Sequence, residues 1–384
     1  MSRSHRPVLI LGVLVLVLSA SAASAGSQNV DETPRVERVG GPTRYATAVA
    51  VAEAWLRDIC AYEATFPTQP SGTEEECLEN RPVGLNLSRA DTFADALAIP
   101  TYFYTDHGPT FLTPPDRLPS EIDRLSPHFD GGVIFGSATA VGDDVADEVE
   151  RRFGVVNRVA GPDRYATSAA AARFNAEIYV DVYGHEGNEF VDTMILVNGE
   201  DWPDALAASA ITRLGVPIVA VRRDEIPEPV AELIRQYGSS GTDFALVGGE
   251  SAISQAVVDQ LRDLGGGSIY RVAGSDRTAT ARAVADAYLA APDPDERNTN
   301  GIIIVRPDSF ADAIAAPALI HSRRVPIIIP ATTTDLGEAN IEWLTENAAR
   351  LDTVTVLGET DVVPDAIVAQ AVDAICAARD CKAQ

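Results

Sequence analysis

Short, uninterrupted apolar runs alternate with longer stretches of helical character along most of the chain. In its middle part the apolar runs are residues 193–197, 216–221 and 244–247, with helices expected around 204–214, 229–237 and 254–264. Continuous apolar runs indicate strands covered on both faces, as in a parallel sheet between helices. Strand–helix–strand order implies right-handed crossovers. The pattern therefore predicts a compact three-layer αβα unit.

The same order of elements occurs three times. Apolar runs in corresponding places are residues 83–87, 109–112 and 132–135 before this unit, and residues 301–305, 325–329 and 353–357 after it. We therefore expect an α/β protein of three tandem αβα (Toprim-like or Rossmann-like) repeats with parallel sheets. Because the linkers are short, we expect a rigid, pseudo-threefold arrangement within one monomeric chain.

Two phrases recur in register with this pattern. RVGGPTRYAT begins at Arg38 and returns as RVAGPDRYAT from Arg158 and RVAGSDRTAT from Arg271. Further along each copy, DTFADALA, EDWPDALA and DSFADAIA follow an apolar run. Units of this length are whole small domains rather than short solenoid repeats. The predicted divisions are repeat 1 (36–157, with an insertion at 60–77), repeat 2 (158–270) and repeat 3 (271–384), after a linker at 26–35.

The first 25 residues have the features of an export signal. Arg3 and Arg6 precede an apolar stretch at 8–18, and Ala23-Ser24-Ala25 is a small-residue cleavage sequence. We expect a secreted protein with no stable membrane insertion after cleavage. The alternative is an uncleaved anchor, since the apolar stretch approaches the length of a membrane span.

Export also bears on the four cysteines, because disulfides form in oxidising compartments. Cys60 and Cys77 flank the insertion in repeat 1, and Cys376 and Cys381 lie together near the C-terminus. Of the three ways of pairing them, local pairing (Cys60–Cys77 and Cys376–Cys381) is expected. The alternative is four reduced thiols.

Composition argues against several classes of function. The formal net charge is −26, which disfavours nucleic-acid binding because phosphate backbones require a basic face. Neither a GxSxG elbow nor an HExxH motif is present, and the cysteine spacing is not that of a zinc site. The sequence therefore predicts a binding protein without catalytic residues, metal or cofactor.

The first phrase contains the first candidate binding residues. Thr43, Asp163 and Asp276 occupy positions expected for helix N-caps, so the next residue of each copy opens a helix. Those next residues are Arg44, Arg164 and Arg277. A guanidinium beside the free amides of a helix N-terminus favours an anion. The alternative is that each arginine pairs with an acidic residue of the neighbouring copy.

Two further sets of residues recur at strand ends. Asp95, Asp204 and Asp312 are expected in or near a first helical turn, where they bond to sugar hydroxyls or, in the simpler alternative, pair with the helix dipole or the recurrent arginine. Phe93, Trp202 and Phe310 are expected to pack inward or to line a crevice. Pro109, Pro217 and Pro326 open the second apolar run of each copy. The junctions after parallel strands are where ligands bind in open α/β sheets.

These phrases together resemble the cell wall binding repeat 2 family. Tandem triplets of that repeat anchor surface and S-layer-associated proteins to Gram-positive walls. The resemblance implies a Toprim-like fold for each repeat and noncovalent binding of an anionic secondary wall polymer near the repeat interfaces. By motif position, the implied polymer-binding residues include Arg44, Arg164 and Arg277 and the strand-opening prolines Pro109, Pro217 and Pro326.

The third copy departs from the pattern, with Ser275 in place of the turn proline and Thr278 in place of the tyrosine. The three sites are therefore expected to be unequal. Two other functions stay open at this point: a secreted hydrolase of wall glycan, and a structural scaffold that assembles with other proteins.

Overall fold

The structure is a computed structural model. It describes residues 32–65, 73–93, 95–96, 98–99, 108–183, 193–212, 216–237, 241–290 and 300–381. The export signal at 1–25 and most of the linker at 26–35 lie outside the described residues, as does the middle of the insertion.

Parallel strands form three four-stranded sheets in the described residues. The strands are β1 (Arg35–Val39), β2 (Val83–Arg89), β3 (Thr110–Thr113), β4 (Phe129–Phe135), β5 (Val156–Val159), β6 (Thr193–Asn198), β7 (Ile218–Val221), β8 (Asp243–Val247), β9 (Ile269–Val272), β10 (Gly301–Ile304), β11 (Ile327–Ile328) and β12 (Thr353–Leu357). The sheet orders are β3-β2-β4-β5, β7-β6-β8-β9 and β11-β10-β12-β1. Helices flank the sheets, which confirms the predicted α/β fold of three repeats.

Each sheet combines three strands of one repeat with the first strand of the next. β5, which opens repeat 2, pairs with β4 of repeat 1, and β9 of repeat 3 pairs with β8 of repeat 2. β1 closes the ring by pairing with β12, more than 300 residues away in sequence, from Arg35 opposite Thr353 to Val39 opposite Leu357. The division of the chain at 157/158 and 270/271 stays a prediction about sequence units, because the sheets extend across those points.

The helices that follow the strands are of two kinds. They are α1 (Arg44–Glu63), α2 (Glu74–Asn80), α3 (Asp143–Phe153), α4 (Arg164–Tyr183), α5 (Trp202–Ala208), α6 (Glu228–Tyr237), α7 (Gln255–Asp263), α8 (Arg277–Ala290), α9 (Ala316–Arg323), α10 (Glu338–Asn347) and α11 (Asp365–Arg379). α1 is rich in alanine and buried around most of its circumference, whereas α6 and α7 bury a single apolar stripe. A helix that is apolar all round belongs in an interior, and an amphipathic one covers an outer face.

The inner helices join the repeats into one body. α5 of repeat 2 packs against α8 of repeat 3, and α9 of repeat 3 packs against α1 of repeat 1. One hydrophobic core takes buried side chains from all three repeats, among them Trp55, Leu206 and Leu319. Because this core is shared, no repeat keeps its buried surface without its neighbours.

The helix after the second phrase begins at different points of the phrase in repeats 2 and 3. The predicted helix at 204–214 is α5 followed by a 3-10 turn, Ser209–Thr212. In repeat 3, α9 begins only at Ala316, after a 3-10 turn at Ala313–Ala315. Prolines at the first helical positions, Pro203 and Pro317, explain both starts, because proline is tolerated there and not in a helix interior.

Both expected disulfides are present. Cys60 at the end of α1 is bonded to Cys77 of α2, and Cys376 of α11 is bonded to Cys381. The second disulfide lies beside the start of the described chain, where the guanidinium of Arg379 donates to the carbonyl oxygen of Glu32 and to the carboxylate of Asp352. The two ends of the described chain are therefore held together.

The interface that closes the ring contains a buried ionic cluster. Arg323 at the end of α9 pairs with Asp58 of α1 at 2.8 Å and with Glu37 of β1 at 3.0 Å, and donates to Thr355 Oγ1 of β12 at 2.7 Å. Its side chain is 13% exposed. Burial lowers the pKa of Arg323, but the hydrogen bonds and charges of Asp58 and Glu37 raise it further, so it stays charged. This cluster ties repeat 3 to repeat 1 where no peptide bond does.

We predict that Arg323→Ala lowers the free energy of unfolding by about 3 kcal/mol, because the partly buried carboxylates of Asp58 and Glu37 lose the guanidinium that they share. Chemical denaturation measures the change. Arg124→Ala is the matched control: its ion pair with Glu53 is short but Arg124 is 56% exposed, so its loss should cost less than about 1 kcal/mol. Equal losses in the two variants would contradict the assigned role of Arg323.

Candidate functional site

The three recurrent arginines open helices, as the sequence predicts. Thr43 Oγ1 accepts the amide of Ala46 at 3.1 Å, Asp163 Oδ1 that of Ala166 at 2.9 Å, and Asp276 Oδ1 that of Ala279 at 2.8 Å. These N-caps fix where α1, α4 and α8 begin. Each cap is followed directly by its arginine: Arg44, Arg164 and Arg277.

Each arginine bonds to the loop that follows the next strand along the chain, which is β2, β6 or β10. Nη1 of Arg164 donates to the carbonyl of Gly199 after β6 at 2.5 Å, and Nη1 of Arg277 to that of Pro307 after β10 at 3.2 Å. Arg44 Nη1 bonds to the carbonyl of Ala90 after β2. These are the carboxyl ends of the strands, where ligands bind in open α/β sheets.

The alternative interpretation, in which the arginine pairs with an acidic residue of the next copy, is not what the described residues show. Among them, none of the three arginines has a carboxylate within 4.0 Å, and each makes a single hydrogen bond. A guanidinium carries five N–H donors. Most of the donors of each guanidinium therefore have no hydrogen-bond partner among the described residues, and Arg277 is exposed whereas Arg44 and Arg164 are half-buried.

Aromatic residues of the second phrase meet where the repeats converge. The rings of Phe93 and Phe310, from repeats 1 and 3, lie edge to face with centroids 5.8 Å apart. The guanidinium of Arg164 in repeat 2 lies 5.6 Å from the Phe93 centroid. Trp202, the third aromatic residue of the set, is half-buried and packs on the same shared core. Phe93, Phe310 and Arg164 thus join all three repeats at one place.

The aspartates lie at the junctions between consecutive repeats. The carboxylate of Asp95 in repeat 1 hydrogen-bonds the side chain of Thr167 in repeat 2, and Asp204 in repeat 2 does the same with Thr280 in repeat 3. Burial raises the pKa of both carboxyls, that of Asp204 to about 6, and the negative charge of Asp201 adds to the rise at Asp204. Oδ1 of Asp204 is buried and has no hydrogen-bond partner among the described residues.

The third junction, between repeats 3 and 1, differs. There the hydroxyl of Thr47, the counterpart of Thr167 and Thr280, donates to the carbonyl of Gly41 at 3.4 Å. Asp308, in the loop of repeat 3 that leads to this junction, makes a bidentate pair with Arg306, and Asp91 makes the same pair with Arg89 in the corresponding loop at the junction between repeats 1 and 2. In repeat 2 the matching place holds Asn198, whose Oδ1 accepts the amide of Glu200 at 2.7 Å. The three junctions therefore differ in charge as well as in hydrogen bonding.

A second set of recurrent arginines was assigned no role from the sequence. The guanidinium of Arg38 donates to the carbonyl of Gly358 at 2.8 Å and to Asp365, Arg158 to Gly136 at 2.9 Å, and Arg271 to Gly248 at 2.7 Å. Each glycine belongs to the preceding repeat in the ring and turns the chain after its third strand. These arginines fasten the donated strand to its host sheet. Their recurrence in register was the available signal.

The strand-opening prolines are not near the arginines. Pro109, Pro217 and Pro326 are buried directly before β3, β7 and β11. The carbonyl of Pro217 accepts the amide of Ile195, whereas Arg164 bonds Gly199 four residues along the same strand, about 13 Å away. The prolines therefore begin buried strands, and Pro217 lies away from the strand end that Arg164 reaches; a part for the three prolines in polymer binding stays a prediction.

A sequence model of the cell wall binding domain 2 family matches residues 38–146, 158–258 and 271–368. These segments contain both phrases in all three copies. The chain belongs to this family. It is a secreted protein associated with the cell wall or cell surface, as the family and its relatives indicate.

Similar proteins fit this assignment. N-acetylmuramoyl-L-alanine amidase LytC of Bacillus subtilis (strain 168) is 24% identical over 330 residues, which are 85% of this chain and 55% of LytC. The structures of Cwp6 and Cwp8 from Clostridium difficile have TM-scores of 0.70 and 0.67 at 18% and 23% identity. They match 93% and 88% of this chain, and 50% and 51% of their own chains. The chain thus spans about half the length of these relatives.

The described residues contain neither a cluster suited to a metal ion nor a helix suited to a membrane. No group of three or more histidine, cysteine, aspartate or glutamate side chains in them has the arrangement to hold a metal ion. None of their helices is both long enough and apolar enough to cross a membrane.

The close approach of Asp204 to the turn at Gly248 gives a test of this geometry. Gly248 has φ +119°, and a Cβ there would lie 2.8 Å from Asp204 Oδ2. We predict that Gly248→Ala lowers the free energy of unfolding more than Gly241→Ala does, by about 1 to 3 kcal/mol. Gly241 is the matched control because its φ is +136° and none of the described residues lies within 4 Å of its added Cβ. Thermal or urea unfolding measures both, and equal losses would contradict the contact.

Proposed function

We propose that the protein binds the cell wall noncovalently by gripping an anionic wall polymer with Arg44, Arg164 and Arg277 at the junctions between its repeats. The observation that carries the proposal is their common geometry. Each arginine opens a helix beside a strand end and donates one hydrogen bond to a backbone carbonyl. Among the described residues, none of the three has a carboxylate within ion-pair distance.

The chemistry of these junctions suits an acidic glycan. A planar guanidinium forms paired hydrogen bonds to phosphate or carboxylate, each charge-assisted bond contributing about 1.5 to 3 kcal/mol. The half-buried rings of Phe93 and Phe310 supply apolar surface beside Arg164, and Trp202 of repeat 2 packs on the same shared core. Asp95, Asp204 and Asp312 are the candidates for contact with sugar hydroxyls, although Asp95 and Asp204 also hold the next repeat.

The net charge of −26 opposes the approach of an acidic polymer at long range. Charge screening removes much of that opposition, because the Debye length is about 8 Å at physiological ionic strength. Attraction within a junction acts over shorter distances than this. The excess of acidic side chains elsewhere then limits binding to the places where guanidinium groups are exposed.

We also propose that this chain contributes binding and not hydrolysis. The relative LytC is named an amidase, but this chain spans 55% of it. The described residues offer no metal cluster, and the recurrent carboxylates hold repeats together. A wall suspension incubated with the protein should keep its turbidity, and clearing would instead support a hydrolase.

Co-sedimentation with purified Gram-positive walls, with and without their anionic polymers, tests the binding proposal. Wild-type protein should sediment with intact walls and stay in solution with stripped ones. Arg164→Ala should weaken binding about tenfold, and the triple change Arg44→Ala, Arg164→Ala, Arg277→Ala should weaken it more than 100-fold, since 1.4 kcal/mol is a factor of ten.

The matched control is the triple change Arg117→Ala, Arg124→Ala, Arg262→Ala, which removes the same charge from side chains that are 56 to 68% exposed. It should change affinity by less than about threefold. If both triple variants lose binding equally, the junctions are not the site. Binding that survives stripping and instead follows a wall protein would favour a protein scaffold.

A further inference from the structure

The junction between repeats 2 and 3 contains a buried carboxylate with only one of its two oxygens hydrogen-bonded in the described part of the chain. We call this place junction 2–3; it is formed by the start of α5, the glycine turn after β8 and the start of α8. Asp204 lies in the first turn of α5, and its Oδ1 has no partner among the described residues. Its other oxygen lies against Gly248, at 2.8 Å from the position of an added Cβ. Thr280 of repeat 3 supplies its hydrogen bond from across the junction.

The two charged groups that act on Asp204 change its pKa in opposite directions. Asp201, at the N-cap of the same helix, opposes its ionisation, and Arg277 at the start of α8 favours it. The glycine turn presents the uncharged Gly248 and Ala252, and the guanidinium of Arg271 on β9 is held by the carbonyl of Gly248 at 2.7 Å. The guanidinium of Arg277 attracts the carboxylate of Asp204 electrostatically from beyond 4.0 Å, without a salt bridge between the two groups.

We propose that Asp204 is a proton-controlled switch on polymer binding at this junction. The negative charge of its carboxylate partly offsets the positive charge of Arg277, and protonation of Asp204 removes this offset, so that Arg277 attracts the anionic polymer more strongly. This rests on the proposed function of Arg277. Arg277 is the most exposed of the three recurrent arginines, and its single hydrogen bond, to Pro307, is the longest of the set. A carboxylate and an anionic polymer compete for it, and mild acid removes one competitor.

Asp204 titrates at a pH where the polymer itself keeps its charge. Burial first, and then the charge of Asp201, raises the pKa of Asp204 to about 6. The folded state therefore binds a proton more tightly than the unfolded chain, whose aspartate pKa is about 3.9. The resulting stabilisation is fully present below about pH 3.9 and is lost as the pH rises through about 6. Phosphodiester and most carboxylate groups of a polymer stay charged between pH 5 and 7.5, so the protein is the partner that changes.

Binding of the full-length protein to purified walls at pH 5.0 and 7.5 tests the switch. Wild type should bind about fivefold or more tightly at pH 5.0. Asp204→Asn should bind at pH 7.5 nearly as tightly as wild type does at pH 5.0, with a much smaller pH dependence. Asp259→Asn, which removes an exposed charge on α7 of the same repeat, is the control and should keep the wild-type difference.

Two further readouts keep the switch apart from a general effect on folding. Reciprocal linkage requires that polymer binding near pH 6.5 take up protons, measurable by calorimetry in buffers of different ionisation enthalpy, and that Asp204→Asn reduce this uptake. Asp201→Asn leaves the buried atom in place and should move the midpoint of the pH dependence to lower pH. Asp95, whose pKa is raised at junction 1–2 by burial, is expected to add a smaller contribution of the same sign.

The outcomes separate the two proposals. If Arg277→Ala leaves binding unchanged at both pH values, the proposed function of this junction is wrong. If Arg277→Ala weakens binding while Asp204→Asn keeps the full wild-type pH dependence and proton uptake, the switch alone is wrong. If Asp204→Asn unfolds, an unchanged midpoint in Asp201→Asn contradicts the switch and a lowered midpoint supports it.

Discussion

The structure depends on one arrangement: every sheet is completed by a strand that belongs to the next repeat. β5 and β9 pass forward along the chain, and β1 returns to β12 to close the ring. Arg38, Arg158 and Arg271 fasten each donated strand to the glycine turn of its host. Because the donated strand leads directly into the helix that carries a recurrent arginine, strand pairing is what fixes each arginine in the ring.

Ring closure is the step that no peptide bond supports. The chain supplies additional interactions at this place, with Arg323 linking α9, α1 and β1, and Arg379 holding the start of the described chain. Buried charges of this kind are strongly destabilising when one partner is lost. The cluster therefore makes the closed ring cooperative, so that an arginine at one junction depends on the integrity of the other two.

Much of this was predictable from the sequence. Apolar runs gave the strands, N-cap residues gave the helix starts at Arg44, Arg164 and Arg277, and the recurrence of whole phrases gave three repeats. Strand exchange was not predictable, because an edge strand such as β5 has the same local pattern whichever sheet it joins. For Asp95 and Asp204 the sequence left open contact with sugar hydroxyls or pairing with the helix dipole or the recurrent arginine. In the structure they bond threonines of the next repeat, and this was not predictable because burial across an interface is not encoded in local spacing. The prolines recur because they start buried strands, and recurrence alone does not separate structural from binding residues.

The three junctions share a plan and differ in detail. Arg89 in repeat 1 and Arg306 in repeat 3 each pair with the first acidic residue of the second phrase. In repeat 2 the residue that corresponds to these arginines is Asn198, which has no charge. Thr278 replaces the tyrosine whose counterpart in repeat 2, Tyr165, bonds Glu200 and stacks under Arg222. In the proposed function, a single polymer that contacts all three junctions would meet three different sets of charges.

Hydrogen exchange of the full-length protein with and without purified anionic wall polymer tests the central claim most directly, because it reports where the polymer lies. We expect protection at the loops that hold the arginines and the strand ends they reach, residues 40–44, 90–93, 160–164, 199–202, 273–277 and 307–310. Protection confined to the outer helices α6, α7 and α10, with these loops unchanged, would contradict the account.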